Sequence, residues 1–184
     1  MTVMIPAELV AIPQIEGVYA RPLKRFADER GAFTETFRAE WFPMVNWSRL
    51  QMNRSISKEG VLRGLHYHFH QVDVWLLQSG QIRVGLADLR PTSSTYLRAH
   101  AFDLHADDLS CLYIPIGVAH GFYSASAVEL LYVVSNYYDG ADERGVAWND
   151  PTLKVPWGIN APVLSNRDLL NRPLADIPID ERPR

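Results

Sequence analysis

Between Gly80 and Arg90 the chain reads GQIRVGLADLR, with Ile82, Val84 and Leu86 in strict alternation behind a glycine suited to a turn. A period of two is strand geometry, because successive side chains of a strand point to opposite faces. The same character recurs along the chain. YLRAHAFDLH (96–105) alternates, while CLYIPIGV (111–118) and VELLYVVSNYY (128–138) are apolar runs rich in β-branched and aromatic residues. Helical periodicity is scarce; its best stretch is TETFRAEWF (34–42), about two turns stopped by Pro43. Many short strands punctuated by Pro and Gly predict an all-β sandwich or barrel. The 184 residues suffice for a full core and read as one domain spanning 1–184.

Composition removes several classes of function. A formal net charge of −3, with no dense field of Lys and Arg, argues against general nucleic-acid binding but leaves room for a local cationic spot facing a diphosphate. No apolar run reaches the length of a membrane span. Residues 1–20 contain Pro6, Glu8 and Pro13 and lack the basic start and unbroken apolar stretch of a signal peptide, so a cytoplasmic protein is expected. The single cysteine, Cys111, has no partner for an intramolecular disulfide and reads as a small core residue. The C-terminal NRPLADIPIDERPR (171–184), rich in Pro and charge, is expected to lie along the surface or fray.

Chemistry concentrates in GVLRGLHYHFHQVDVWLLQSG (60–80), where His66, His68 and His70 alternate and Asp73 follows. On one continuous strand all three histidines would share a face. Gly60, five residues, His66, one residue, His68, four residues, Asp73, six residues, Gly80, and then PIGVAHG at 115–121, resembles the paired motifs of the cupin superfamily, with Asp73 where the first motif usually has Glu. That resemblance implies a double-stranded β-helix, or jelly roll, with His66, His68, Asp73 and His120 pointing into the barrel.

A more specific likeness emerges from RFADERGAFTETF, LQMNRS, VLRGLHYH, IPIGVAHGFY, LLYVVSNYY, VAWNDP and LSNRD, which occur in that order from about residue 15 to 175. This set resembles the dTDP-4-dehydrorhamnose 3,5-epimerase family, whose members act on nucleotide-linked 4-keto-6-deoxy sugars. The resemblance implies that His66 is the catalytic base, Asp168 its carboxylate partner, and Tyr132 the phenol that returns a proton on the opposite face of the sugar. A carboxylate fixes the tautomer of an imidazole and steadies its charge once it has taken a proton. The likeness also implies substrate-binding roles for Arg63 at the diphosphate, for Arg30, Glu35, Gln51 and Asn53 at nucleotide and phosphate positions, and for His120 beside the sugar. Phe26 and Tyr138 are candidates to stack on base or sugar. It implies a homodimer whose N-terminal strands, within about residues 1–50, join the partner's sheet, and it implies no cofactor.

One departure stands out. The family has a lysine seven residues before the glycine that corresponds to Gly80, where this chain has Asp73. A ketone α-proton is on the order of ten pKa units less acidic than imidazolium, at about 1.4 kcal/mol per unit, so the developing enolate needs a positive or hydrogen-bond-donating partner. Three substitutes are open: Arg63 or a protonated His68, His70 or His120; a divalent metal held by His68, Asp73 and His120, with His66 left free as base; or altered chemistry. The family typically has Gln at the position of His68, so the added histidine and the lost lysine together restore a metal-cupin pattern. His70 is expected nearer the rim and Trp75 in core packing. The leading reading is therefore epimerisation of a nucleotide sugar; its rivals are a metal-dependent cupin enzyme and a sugar-nucleotide-binding protein without turnover.

Overall fold

A computed structural model describes residues 5–183. Its strands are β1 (Val10–Ala11), β2 (Tyr19–Pro22), β3 (Arg25–Asp28), β4 (Gly31–Thr34), β5 (Gln51–Ser57), β6 (Leu62–Tyr67) and β7 (Asp73–Ser79). β8 (Gln81–Asp88), β9 (Ala99–His105), β10 (Ser110–Ile114), β11 (Val118–Ser124), β12 (Val128–Val134), β13 (Arg144–Gly145) and one short helix, α1 (Asn166–Leu169), complete the order. One sheet runs β1-β2-β10-β7-β12-β5 and the other β13-β6-β11-β8-β9, while β3 and β4 form a separate hairpin. The two sheets face each other as the expected cupin-type jelly roll.

Alternation explains the layering. Ile82, Val84 and Leu86 of β8, with Val118 and Phe122 of β11, meet Trp75 and Leu77 of β7 and Val128 and Leu130 of β12 between the sheets. Each such buried aliphatic or aromatic side chain contributes roughly 1.5–3 kcal/mol. The outward positions are covered too, which is why several strands read as unbroken apolar runs. Leu62, Leu65, Tyr67 and Ala119 lie beneath Val146, Trp157, Leu174 and Ile177. Val74, Leu76, Tyr113 and Val133 lie beneath Leu9 and Phe42. Cys111 is buried in that second outer layer, and burial pushes its thiol up to about 12.

One expectation requires correction, and one left open is decided. Residues 34–42 hold no α-helix; Thr34 ends β4, and only Ala39–Trp41 form a 3-10 turn. A two-turn helix is marginal alone. Here Phe42 stacks on Phe37 and Tyr113, and Trp47 meets both phenylalanines edge-on, so aromatic packing dictates the backbone. The C-terminal segment does not fray. It forms turns at Leu174–Asp176 and Ile179–Glu181, buries Leu174 and Ile177, and is tied by Arg182 to the carbonyls of Leu174 and Ile177.

Candidate active site

Both sheets contribute to one cavity of about 390 Å³. The five-stranded sheet supplies Arg63 and His66 from β6 and His120 from β11; the six-stranded sheet supplies Gln51, Asn53 and Ser55 from β5, Asp73 and Trp75 from β7, and Tyr132 from β12. Close approach of β6 and β11 makes this possible. His66 and His120 are directly paired across the two strands, with an irregularity between His120 and Phe122. Gly64 has φ +115°, and a Cβ there would lie 2.7 Å from the Gly121 Cα and from the His120 carbonyl oxygen. No L side chain fits that backbone or that gap.

His66 and Asp168 meet across 102 positions of sequence, with Nε2 of the imidazole 2.7 Å from Oδ1 of the carboxylate. Asp168 sits in the short helix α1, whose N-cap Ser165 accepts from the Asp168 N–H and donates its hydroxyl to Oδ2 at 2.9 Å. Burial works against ionisation of Asp168, but the hydrogen bonds and charge of His66, with help from Ser165, outweigh it and hold the carboxyl below its ordinary range. The ionised carboxylate accepts the Nε2 proton of His66, which leaves Nδ1 as the basic nitrogen. That is the arrangement of an oriented base.

Tyr132 faces the cavity from the opposite sheet, beside Trp75 on one neighbouring strand and Asn53 on the other. Burial above all, then the negative charges of Asp73 and Glu143, raise its phenol above the usual value despite Arg63. It is therefore neutral, with a proton to give.

At the inner end lie His68, Asp73 and His120, all buried. Asp73 accepts from the Gln71 amide at 2.9 Å on Oδ1 and from the Trp75 indole at 3.2 Å on Oδ2. Burial pulls the His120 imidazole well below its ordinary range, against Asp73 and with His68, so this ring supplies no positive charge near neutral pH. Among the described residues no lysine lines the cavity, and Arg63 and Arg167 are its cationic side chains. Arg63 is held at the mouth by Ser57 Oγ (2.9 Å) and the Ile56 carbonyl (3.2 Å), and Arg167 is engaged by Glu143.

Most residues singled out from sequence come together here: His66, His68, Asp73, His120, Tyr132, Asp168, Gln51, Asn53, Arg63 and Tyr138 all line the cavity. At its mouth Gln51 joins the set, donating to Asn53 Oδ1 at 2.8 Å and accepting from the Tyr138 N–H at 3.1 Å. His70 is a correction. β6 ends at Tyr67, so period two lapses, and exposed His70 turns to a separate hollow beside Phe69, Arg90 and Gly117. Arg30, Glu35 and Phe26 do not line the cavity of their own chain; they lie on or beside the exposed β3–β4 hairpin, where Arg30 pairs with Asp28 and Glu35 with Arg38. Sequence reading missed Ser55, Gln71, Glu143, Ser165 and Arg167. Ser55 Oγ is buried without a partner among the described residues, a polar group for a ligand to satisfy. The sequence signal for Ser165 is its place three residues before Asp168, as an N-cap.

Residues 13–176 match the profile of the family described as dTDP-4-dehydrorhamnose 3,5-epimerase. The chain belongs to that family. Among relatives of this epimerase family, the dTDP-4-dehydrorhamnose 3,5-epimerase of Pseudomonas aeruginosa is 35% identical over 177 residues, covering 92% of this chain and 96% of the relative. The one from Shigella flexneri is 33% identical over 160 residues, covering 83% and 88%. The dTDP-6-deoxy-D-glucose-3,5-epimerase of Legionella pneumophila, solved in complex with dTDP-4-keto-L-rhamnose, superposes with a TM-score of 0.88 at 30% identity, covering 96% of this chain and 97% of that one. Among the described residues, no helix of this family member is long and apolar enough to cross a membrane.

Proposed function

We infer that this chain epimerises a nucleoside-diphospho-4-keto-6-deoxy sugar, with dTDP as the carrier, in the synthesis of deoxysugars for polysaccharides. The observation that carries the reading is the His66–Asp168 pair, 2.7 Å apart, opening on a cavity that Tyr132 enters from the other sheet. A base and a proton donor on opposite walls suit removal of hydrogen from one face of a sugar ring and its return to the other. His66 Nδ1 takes the proton beside the ketone, and the electron pair moves onto the C4 oxygen. Asp168 stabilises the resulting imidazolium, and Tyr132 then delivers a proton to the opposite face of the same carbon. Arg63, with Gln51, Asn53 and Tyr138, forms the mouth that receives the nucleotide diphosphate, where a forked guanidinium matches phosphate oxygens.

The working unit in this reading is a homodimer. β5 is the last strand of its sheet and exposes Met52 (54%) and Ile56 (63%), while the β3–β4 hairpin, which follows β2, exposes Phe26 (48%) and Phe33 (64%). Association of two chains through these exposed apolar side chains would bury them, and in this reading it brings Arg30, Glu35 and Phe26 to the other protomer's cavity. Because nucleotide sugars are assembled from nucleoside triphosphates, the proposed setting is cytoplasmic.

The test is product configuration. Proton NMR coupling constants after incubation with a dTDP-4-keto-6-deoxyhexose should report inversion at C3, C5 or both, with slower turnover of UDP and GDP analogues. Tight dTDP binding without any change of configuration would instead identify a sugar-nucleotide-binding protein.

A further inference from the structure

We propose that His68, Asp73 and His120 bind one divalent first-row transition-metal ion, and that this ion supplies the positive charge the family obtains from lysine. The binding site stands on the geometry of the three side chains; its role in the reaction rests on the epimerase reading above.

The three donors converge from both sheets. Asp73 opens β7, His68 directly follows β6, and His120 lies in β11. One ligand atom from each falls within 4.8 Å of the others. His68 Nε2 is 3.9 Å from Asp73 Oδ1, and His120 Nε2 is 3.7 Å from Oδ2. Neither separation is a hydrogen bond. Two donors each about 2.0–2.2 Å from a shared ion stand roughly 3.0–3.6 Å apart. The two His–Asp73 gaps therefore close by a few tenths of an ångström, and donors up to 4.8 Å apart by about an ångström, when the site forms.

Tautomers strengthen the case. His120 Nδ1 lies 2.9 Å from the Val118 carbonyl, and His68 Nδ1 lies 3.3 Å from that of Asp142. A carbonyl only accepts, so each Nδ1 carries a proton and each ring turns its Nε2 toward the same carboxylate. Backbone carbonyls at Nδ1 with Nε2 directed inward are also the outer partners that orient metal-binding histidines. The Gln71 amide contacts His68 Nε2 at 3.3 Å as well as Asp73 Oδ1. Among the described residues, no N–H or O–H donates to His120 Nε2.

Two imidazoles and a carboxylate suit zinc, iron(II), manganese or cobalt, and three protein ligands leave a coordination position for substrate. The cluster shares its cavity with His66, the base, which stays free. When bound, the ion would act as a Lewis acid toward the ketone oxygen. The C–H bond beside that ketone breaks, its proton goes to His66 Nδ1, and its electron pair is accommodated as the C4 oxyanion. Asp73 then anchors the positive charge instead of repelling the anion.

The experiment uses full-length protein stripped with a chelator, shown to remain folded by circular dichroism, and titrated with Co²⁺ and Zn²⁺. Calorimetry and the visible absorption of Co²⁺ should report one equivalent per chain. Asp73→Asn and His68→Gln, which preserve shape, should each weaken binding by about a hundredfold, while His66→Asn should bind metal as wild type does. Deuterium entry from solvent at C3 and C5 of a dTDP-4-keto-6-deoxyhexose should fall at least about a hundredfold on stripping and return with one equivalent of metal. A folded wild-type chain that takes up no stoichiometric metal, or stripped protein that exchanges at full rate, overturns the proposal and leaves the epimerase reading standing. Stoichiometric metal lost in Asp73→Asn, with no exchange under any condition, supports the site and overturns the epimerase reading instead.

Discussion

Under the epimerase reading, replacing Asp168 by Asn isolates what the carboxylate does for the proposed base, His66. Asp168 is 5% exposed, and its Oδ1 receives the His66 Nε2 proton at 2.7 Å while Oδ2 accepts from Ser165. A hydrogen bond to a charged group is worth about 1.5–3 kcal/mol, and here it is strongest when His66 has gained its proton, so losing it slows abstraction roughly 10- to 150-fold. The amide adds a second penalty. If the new side-chain N–H donates to Nε2, the imidazole proton shifts to Nδ1, the nitrogen that has to accept. Asp168→Asn is therefore expected to fall below Asp168→Ala, which removes the charge without imposing the wrong tautomer. The assay is deuterium entry at C3 and C5 followed by NMR, with binding of dTDP measured alongside. An Asp168→Asn enzyme within threefold of wild type, with dTDP affinity unchanged, would refute the assignment of Asp168 as the group that orients and charges the base.

Tyr132→Phe should keep proton abstraction by His66, seen as deuterium entry with retained configuration, while formation of inverted product falls by about 10²–10⁴-fold; equal loss of both in NMR time courses would mean that Tyr132 does not act separately. Gly64→Ala forces a Cβ to 2.7 Å from Gly121 at positive φ, and should cost at least about 2 kcal/mol, or some 4–8 °C in Tm by calorimetry; an unchanged melt would mean that β6 and β11 part easily. Asp88, fully buried, accepts from Arg90, Ser93 and Thr95, and these partners outweigh burial to hold its carboxyl below the ordinary range. Because the folded value lies below the unfolded one, near 3.9, the stabilisation is complete above about pH 5 and disappears as pH falls through the folded value. Asp88→Asn should thus lower Tm at pH 7 and flatten its decline in acid; an identical acid limb in wild type and variant would exclude Asp88 as a source of that decline.

Local periodicity was enough for the strands that build the barrel, because Ile82, Val84 and Leu86 repeat the geometry that buries them. It failed at residues 34–42, where Phe37 and Phe42 answer to Trp47 and Tyr113 rather than to their neighbours in sequence. It failed again at His70, since a pattern of two says nothing about where β6 stops. The His66–Asp168 pairing was accessible only through the ordered family motifs, as no local rule joins residues 102 apart. Gln71, Glu143 and Arg167 reach the cavity through the course of intervening loops, and side-chain chemistry alone does not encode that course. Arg30, Glu35 and Phe26 were legible as a motif but not as a location, because nothing in the motif says where the exposed β3–β4 hairpin stands relative to the cavity.

Whether an imidazole in this barrel removes hydrogen from beside a ketone is decided most directly by comparing wild type with His66→Asn in deuterium oxide. Wild-type protein should label a dTDP-4-keto-6-deoxyhexose at C3, C5 or both, and His66→Asn, still binding dTDP, should leave both carbons at the uncatalysed rate. Labelling by the variant at the wild-type rate would place the base elsewhere in the cavity.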